Sequence, residues 1–376
     1  MAEKTSTELE QYLKQITESL KANRCAILVG AGFSRNADSG SLFAPTFPTW
    51  NELADTFYEK LYLCKPDGAQ YLSPLTLAEQ VEAAYGRSVL NQLLISRIPD
   101  TQYSPSALHT KLLNLPWTDI FTTNYDTLLE RASQEITSKR FNIINCKEDL
   151  VSSSDAPRIV KLHGTFPSHR PFIITSEDYR RYPREFAPFI NTVQQSLLEN
   201  TLCLIGFSGD DPNFNQWVGW IHDNLGLENS PQIYLFSHED YPHAQKKLLD
   251  RKKVIVLNID SFASEGNPRK KYESLLDHLL ESVRTAQPIW PEIHSLHEGE
   301  QIPFSKAVSL LQQTRKAYPG WLVPPHATRN RALILRGEVE KLLQSVTRNS
   351  KTRNSLFCMN MTGCGKSVYA PPFSGN

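Results

Sequence analysis

The chain has 376 residues, balances 40 Lys and Arg against 40 Asp and Glu, and is 40% apolar. That length suits two modules rather than one core, and zero net charge argues against a nucleic-acid-binding surface, which needs a basic excess. No apolar run approaches the roughly eighteen residues of a membrane span, and the polar start Met-Ala-Glu-Lys-Thr does not suit a secretory signal. A cytoplasmic chain is expected.

In chain order, the first segment reads as a soluble helix. Thr5 and Glu8 form a capping box, and Leu9, Leu13, Ile16 and Leu20 recur at helical spacing. A strand follows at 25–29 and ends in Gly30-Ala31-Gly32-Phe33-Ser34. Residues 39–116 are long for one crossover and predict a helical lobe beside the sheet, over a crevice. Within it, Thr49-Trp50-Asn51-Glu52 caps a helix running to about Tyr62. Further strands are predicted at 119–122, 141–144, 159–162, 172–174, 202–205, 233–236 and 254–257, with helices at 187–199 and 272–283. Short continuous apolar runs suit strands buried on both faces. The fold class expected is therefore α/β, a doubly wound parallel Rossmann-like sheet with a helical insertion lobe.

Around 285–303 the pattern breaks at Pro288, Pro291 and Pro303, which reads as a linker. Helices at 304–317 and 331–343 and a strand at 355–359 follow, then Asn360-Met361-Thr362-Gly363-Cys364-Gly365-Lys366-Ser367. The expected division is 1–284, 285–320 and 321–376.

The six cysteines, Cys25, Cys64, Cys146, Cys203, Cys358 and Cys364, form no C-x-x-C pair, and His294 and His297 have no cysteine near them. No structural zinc site is expected. Cys25 and Cys203 lie in apolar strands and read as buried hydrophobes. Scattered thiols suit a reducing compartment.

Ligands of open parallel sheets bind at the carboxyl ends of the strands, so the polar strand ends are the candidate site. Gly30 and Gly32 let a backbone approach a phosphate and Ser34 can donate to it; the alternative is a tight turn without a ligand. Arg35 stands where a dehydrogenase fingerprint has its third glycine, which weighs against hydride transfer. Arg35 is placed either to pair with a pyrophosphate or to be solvated. Asn124, in Thr123-Asn124-Tyr125-Asp126, offers one acceptor and two donors. From residue type alone, the favoured reading of Asn124 and Asp126 is an Asx turn and cap for a helix at 127–132 rather than a functional role. His163, in Lys161-Leu162-His163-Gly164, is the acid–base candidate, because imidazole titrates near neutrality. His169 competes with it and reads as an exposed loop residue. Gly206-Phe207-Ser208-Gly209-Asp210-Asp211 either meets ribose hydroxyls or caps a helix at 213–224. Asn258 and Asp260 are weaker candidates for an adenosine end.

In order, GAGFS, TTNYD, KLHG and GFS resemble the sirtuin NAD-binding core, and more nearly the zinc-free sirtuin-like domain of NAD-depleting immune effectors. The resemblance runs from about Arg24 to about Asp260. It implies that NAD+ is the substrate, held by Gly30, Ala31, Gly32, Phe33, Ser34 and Arg35, by Gly206, Phe207, Ser208 and Asp211, and by Asn258. It implies that Asn124, with Asp126 beside it, orients the ribose next to nicotinamide and positions a water, and that His163 removes a ribose proton. No zinc is implied. The activity expected is NAD+ glycohydrolysis. The alternatives are a protein deacylase or ADP-ribosyltransferase, and a non-catalytic NAD or ADP-ribose-sensing scaffold.

Residues 321–370 resemble the start of the NB-ARC domain of STAND switch ATPases, with Asn360 in place of the first glycine of the phosphate loop. Pro371-Pro372 interrupts the helix that would follow, and the chain stops nine residues after Ser367. Read so, the ATPase is truncated, and Lys366 and Ser367 are not expected to hold ATP and magnesium tightly. The effector of such a receptor is expected to form a homo-oligomer.

Overall fold

The computed structural model describes residues 2–285, except 42, 67–72, 152, 154–155, 168–170, 208–210, 239–240 and 263–266. The linker, the helices at 304–317 and 331–343, the strand at 355–359 and the phosphate loop with Lys366 and Ser367 lie outside the described residues. So do His169 and Ser208.

Helix α1 (Ala2–Lys21) leads into strand β1 (Cys25–Val29), which turns at once into the short helix α2 (Ala31–Ser34). Strand β2 (Asp38–Ser39) and helices α3 (Trp50–Tyr62), α4 (Pro74–Tyr85) and α5 (Arg87–Arg97) follow. Strand β3 (Tyr103–Ser104) pairs antiparallel with β2. Next come α6 (Ala107–Asn114), β4 (Asp119–Thr122), α7 (Leu128–Glu135), β5 (Asn142–Ile144) and β6 (Arg158–Lys161). The chain continues through α8 (Ser176–Glu185), α9 (Ala187–Glu199), β7 (Thr201–Ile205), α10 (Pro212–Asn229), β8 (Ile233–Ser237), α11 (His243–Arg251), β9 (Val254–Asn258) and α12 (Pro268–Thr285).

Seven strands form one parallel sheet in the order β5-β6-β4-β1-β7-β8-β9. Alternation along each strand divides the core in two. Ile27, Val29, Ile120 and Ile205 face a layer built from α1, α6, α7 and α12. Ala26, Leu28, Phe121 and Leu204 face the layer of α8, α9, α10 and α11. Both faces are covered, so β1, β7, β8 and β9 read as near-continuous apolar runs. This is the doubly wound α/β fold expected. The central strand β1 has β4 on one side and β7 on the other, and the connections diverge there. A crevice opens at such a switch point, beyond the carboxyl ends of the strands.

The lobe is α3, α4 and α5 around their own core of Phe57, Leu77, Val81, Leu90 and Leu94. The Thr49 capping box is present: Thr49 Oγ1 accepts from the Glu52 amide at 3.2 Å, and the Thr49 amide donates to Glu52 Oε2 at 2.6 Å.

Two expectations are corrected. Helix α1 begins at Ala2, so Thr5 is an interior position and no N-cap; Glu3 and Lys4 are good helix formers and nothing stops the helix there. Residues 172–174 form no strand. Phe172, Ile173 and Ile174 are buried, and their backbone groups are taken by loops and side chains instead of a ladder. The Ile173 amide donates to the His163 carbonyl at 3.0 Å and the Ile174 amide to Asp178 Oδ2 at 3.0 Å. Tyr125 Oη donates to the Ile173 carbonyl at 2.7 Å, and Arg87 donates to that of Phe172. Buried backbone groups need partners, but not from a strand.

Candidate active site

A cavity of about 1160 Å³ lies over the carboxyl ends of the central strands. Small-molecule sites run to about 300–1,000 Å³, so a dinucleotide has room. Its floor comes from the turns after β1, β4 and β7, and its roof from the lobe through Phe47, Trp50, Leu53, Leu75 and Ile98. The start of α12 closes one end with Arg269 and Tyr272.

The two glycine turns clasp each other. The Gly30 amide donates to the Ile205 carbonyl at 2.9 Å, and the Gly32 amide to that of Gly206 at 2.9 Å. A Cβ on Gly30 would stand 2.3 Å from Gly206 O, and one on Gly206 would stand 2.2 Å from the Phe33 amide nitrogen. Gly206 also has φ +60°, which favours glycine. Gly30 and Gly206 are therefore fixed by loop against loop, a simpler cause than contact with a phosphate.

Of the residues singled out in the sequence, Ala31, Gly32, Arg35, Asn124, Asp126, Gly206, Phe207 and Asp211 line the cavity. Phe33 does not: it is fully buried, its ring edge-on to His109 at 5.0 Å and to Tyr272 at 6.0 Å. Ser34 is also buried, and its hydroxyl is committed within the protein rather than offered to a phosphate. Ser34 Oγ donates to Asp126 Oδ2 at 2.7 Å and accepts from Asn124 Nδ2 at 2.9 Å. Asn258 sits at the exposed end of β9, where its Oδ1 accepts from the Asp260 amide at 2.8 Å. Neither residue lines the cavity.

Asn124 is held from both sides. Its amide donates to Thr122 Oγ1 at 3.1 Å, and its side chain ends the chain Asn124–Ser34–Asp126. It is 7% exposed and borders the cavity. The Asx-turn alternative falls instead to Asp126, whose Oδ1 accepts from the Leu128 amide two residues on at 3.2 Å, just before α7. Burial pushes the Asp126 carboxyl up from its ordinary range, while the Lys161 charge and the Ser34 hydroxyl oppose the rise. Asp211 caps α10 through the Phe214 amide at 3.0 Å and also accepts from Tyr179 Oη at 3.0 Å.

His163 follows β6 as expected but does not reach the cavity. It is fully buried. Its Nε2 lies 3.2 Å from Asn213 Nδ2, and its ring meets Tyr179 at 5.3 Å and Tyr182 at 5.8 Å, both edge-on. Tyr179 touches the imidazole and also lines the cavity. The amide of the expected pair thus faces the crevice, and the imidazole stands behind a tyrosine.

Residues 118–257 match the SIR2-like domain family model. Among curated relatives, Defense-associated sirtuin 2 of Bacillus subtilis is 24% identical over 293 residues, covering 72% of this chain and 27% of that protein. NAD(+) hydrolase ThsA of Acinetobacter baumannii (strain 532279) is 30% identical over 212 residues, 55% of this chain and 41% of the relative. NAD(+) hydrolase ThsA of Enterococcus faecium is 28% identical over 208 residues, 54% and 41% respectively. The chain spans less than half the length of these relatives. The matched SIR2-like segment contains β4 to β9 without the last residue of β9. It holds Asn124, Asp126, His163 and Asp211, while Gly30, Gly32 and Ser34 precede it.

Three residues around this site escaped the sequence reading. Tyr179 lies on α8 and Asn213 in the first turn of α10, each touching His163. Lys161 is 1% exposed at the end of β6. Its Nζ donates to the Asp126 carbonyl and lies 3.1 Å from Glu130 Oε1. The available signal was a lysine directly after the apolar pair Ile159-Val160 of β6, since buried charges are paired.

Proposed function

We propose that this chain cleaves the nicotinamide–ribose bond of NAD+ and acts as the effector of a defence receptor of the STAND type. The observation that carries the reading is Asn124, held by Ser34, which is itself bonded to Asp126, at the floor of a dinucleotide-sized cavity that also includes two clasped glycine turns. The relatives Defense-associated sirtuin 2 and NAD(+) hydrolase ThsA support it.

The bond to a cationic pyridinium is already activated. When it breaks, its electron pair leaves on nicotinamide as a neutral molecule. Asn124 orients the ribose and a water at C1′; the water oxygen bonds to C1′ and gives up a proton. A fixed amide aimed at developing charge accelerates such a step without reorganising. The water's proton passes to solvent, and His163 takes a ribose hydroxyl proton once Tyr179 swings aside. Arg35 faces the pyrophosphate and Asp211 a ribose hydroxyl.

Uncontrolled, this activity would empty the cell of NAD+. The reading therefore includes a gate: cytoplasmic homo-oligomers in which assembly shifts the lobe from over the nicotinamide end. The test is nicotinamide release from NAD+ by purified protein across a concentration series, with and without an acyl-lysine peptide. Release without peptide, with specific activity rising with concentration, is expected. Release only with peptide indicates the deacylase, and binding without release the sensing scaffold.

A further inference from the structure

We propose that Lys161 is a positioning residue that fixes the hydrogen-bond polarity of Asn124, acting through Asp126 and Ser34. The inference rests on the proposed role of Asn124 in NAD+ cleavage.

An ionised carboxylate only accepts hydrogen bonds. Asp126 Oδ1 receives the Leu128 amide at 3.2 Å, so Oδ2 receives Ser34 Oγ at 2.7 Å. The serine proton is then committed, and Ser34 Oγ must accept from Asn124 Nδ2, at 2.9 Å. This order turns the Asn124 carbonyl oxygen away from Ser34 and leaves it as the acceptor for a ribose hydroxyl or a water. If Asp126 gains a proton on Oδ2, every bond in the chain reverses. Asp126 donates to Ser34, Ser34 donates to Asn124 Oδ1, and the amide turns over to present its NH2. The acceptor needed for chemistry is lost without movement of the backbone.

Which order holds depends on the charge of Asp126. Ser34 on α2 and Lys161 on β6 favour the ionised form; Glu130 on α7 and Asp100, in the turn before β3, oppose it together with burial. Asp100 is itself paired with Arg131 at 3.1 Å. Lys161 is placed for this work. Fully enclosed, its ammonium group is tied to the Asp126 carbonyl and to Glu130 at 3.1 Å. A charge enclosed in low dielectric acts strongly on its neighbours.

The test follows two signals against pH: the Asp126 carboxyl carbon and the Asn124 side-chain amide, by NMR on labelled protein. Nicotinamide release is measured alongside. In the wild type the two signals should titrate together. Lys161→Gln keeps a donor but removes the charge, and should move this titration and the acid limb of kcat upward by about one pH unit. Glu130→Gln should move both downward, and Lys161→Arg should restore the wild-type profile. A loss of packing has no reason to give shifts of opposite sign. In Ser34→Ala the Asn124 signal should cease to follow Asp126. Should Lys161→Gln fail to fold, Glu130→Gln and Ser34→Ala decide. An unmoved Asp126 titration in Glu130→Gln, or an Asn124 signal indifferent to Asp126 in the wild type, overturns the inference. If the NMR shifts appear but the wild type releases no nicotinamide, the proposed function fails and the relay stands.

Discussion

Gly30→Ala separates two reasons for a glycine. If Gly30 serves a phosphate, the substitution weakens NAD+ binding and leaves stability alone. The clasp predicts the reverse order of effects. Backbone strain is not the issue, because Gly30 has φ −101° and ψ 174°, which alanine adopts. The issue is space: the new Cβ would stand 2.3 Å from Gly206 O and 2.9 Å from Phe207 Cα, both backbone atoms. Overpacking of this kind costs about 1–3 kcal/mol. Parting the turns also weakens the bonds from Gly30 to Ile205 and from Gly32 to Gly206, at about 0.5–1.5 kcal/mol each. The total is about 2–6 kcal/mol, or a fall in Tm of roughly 5–20 °C for a unit of this size. Urea and thermal unfolding measure it. Gly40→Ala, where the nearest atom to the added Cβ is 3.5 Å away, is the control and should be near neutral. Wild-type stability in Gly30→Ala with a raised KM for NAD+ would refute the clasp as the reason for the glycine.

Asn124→Ala should lower nicotinamide release by about a hundredfold or more, the usual scale for a positioned transition-state group, with circular dichroism unchanged. His163→Gln should do the same; it is preferred to alanine because His163 is fully buried and truncation there would leave a hole. Tyr179→Phe removes one bond to Asp211, worth about 1 kcal/mol, and should raise turnover by about fivefold if Tyr179 screens His163; a fall in turnover would mean that its hydroxyl has a different task. His109 supplies an acid limit to stability. Burial pushes its imidazole down to about 4 from 6.5, with Asp38 opposing and Arg269 and Arg131 adding to the fall. A depressed folded value contributes stability that is complete above the unfolded pKa and lost as pH falls through about 4. The loss is on the order of 3 kcal/mol, and His109→Gln, which retains an acceptor for the Ser106 amide, should flatten it in urea titrations between these limits.

The sheet was legible because enclosure on both faces removes alternation, so β1 and most of β7, β8 and β9 stand out as apolar runs. The Thr49 box was legible because both partners lie in one turn of sequence. The segment at 172–174 was misread because its apolar character reports burial, whereas its pairing depends on Arg87, Tyr125, His163 and Asp178, which no local pattern reveals. The same holds at the site. The strand ends told which side of the sheet carries it, and Asn124, Asp126 and Asp211 do border the cavity. That His163 stands behind Tyr179, and that Ser34 is spent between Asn124 and Asp126, depends on contacts between distant segments. The glycines were noticed for the right property, tolerance of close approach, but what approaches Gly30 and Gly206 is the protein itself.

Arg87 and Asp178 fasten the lobe unevenly. Arg87, at the start of α5, meets Asp178 of α8 through both carboxylate oxygens at 3.1 and 2.9 Å, with Glu82 at 3.1 Å on its other side. Of these, Arg87 and Asp178 are the more shielded, at 25% and 17% side-chain exposure, while Glu82 is 36% exposed. At the far end, Asp38 meets Arg269 at 2.6 Å, but with side chains 52% and 38% exposed. Exposed pairs are screened by salt and contribute little, whereas shielded ones persist. Rising ionic strength would therefore weaken the Asp38–Arg269 pair first and leave the Arg87–Asp178 pair in place.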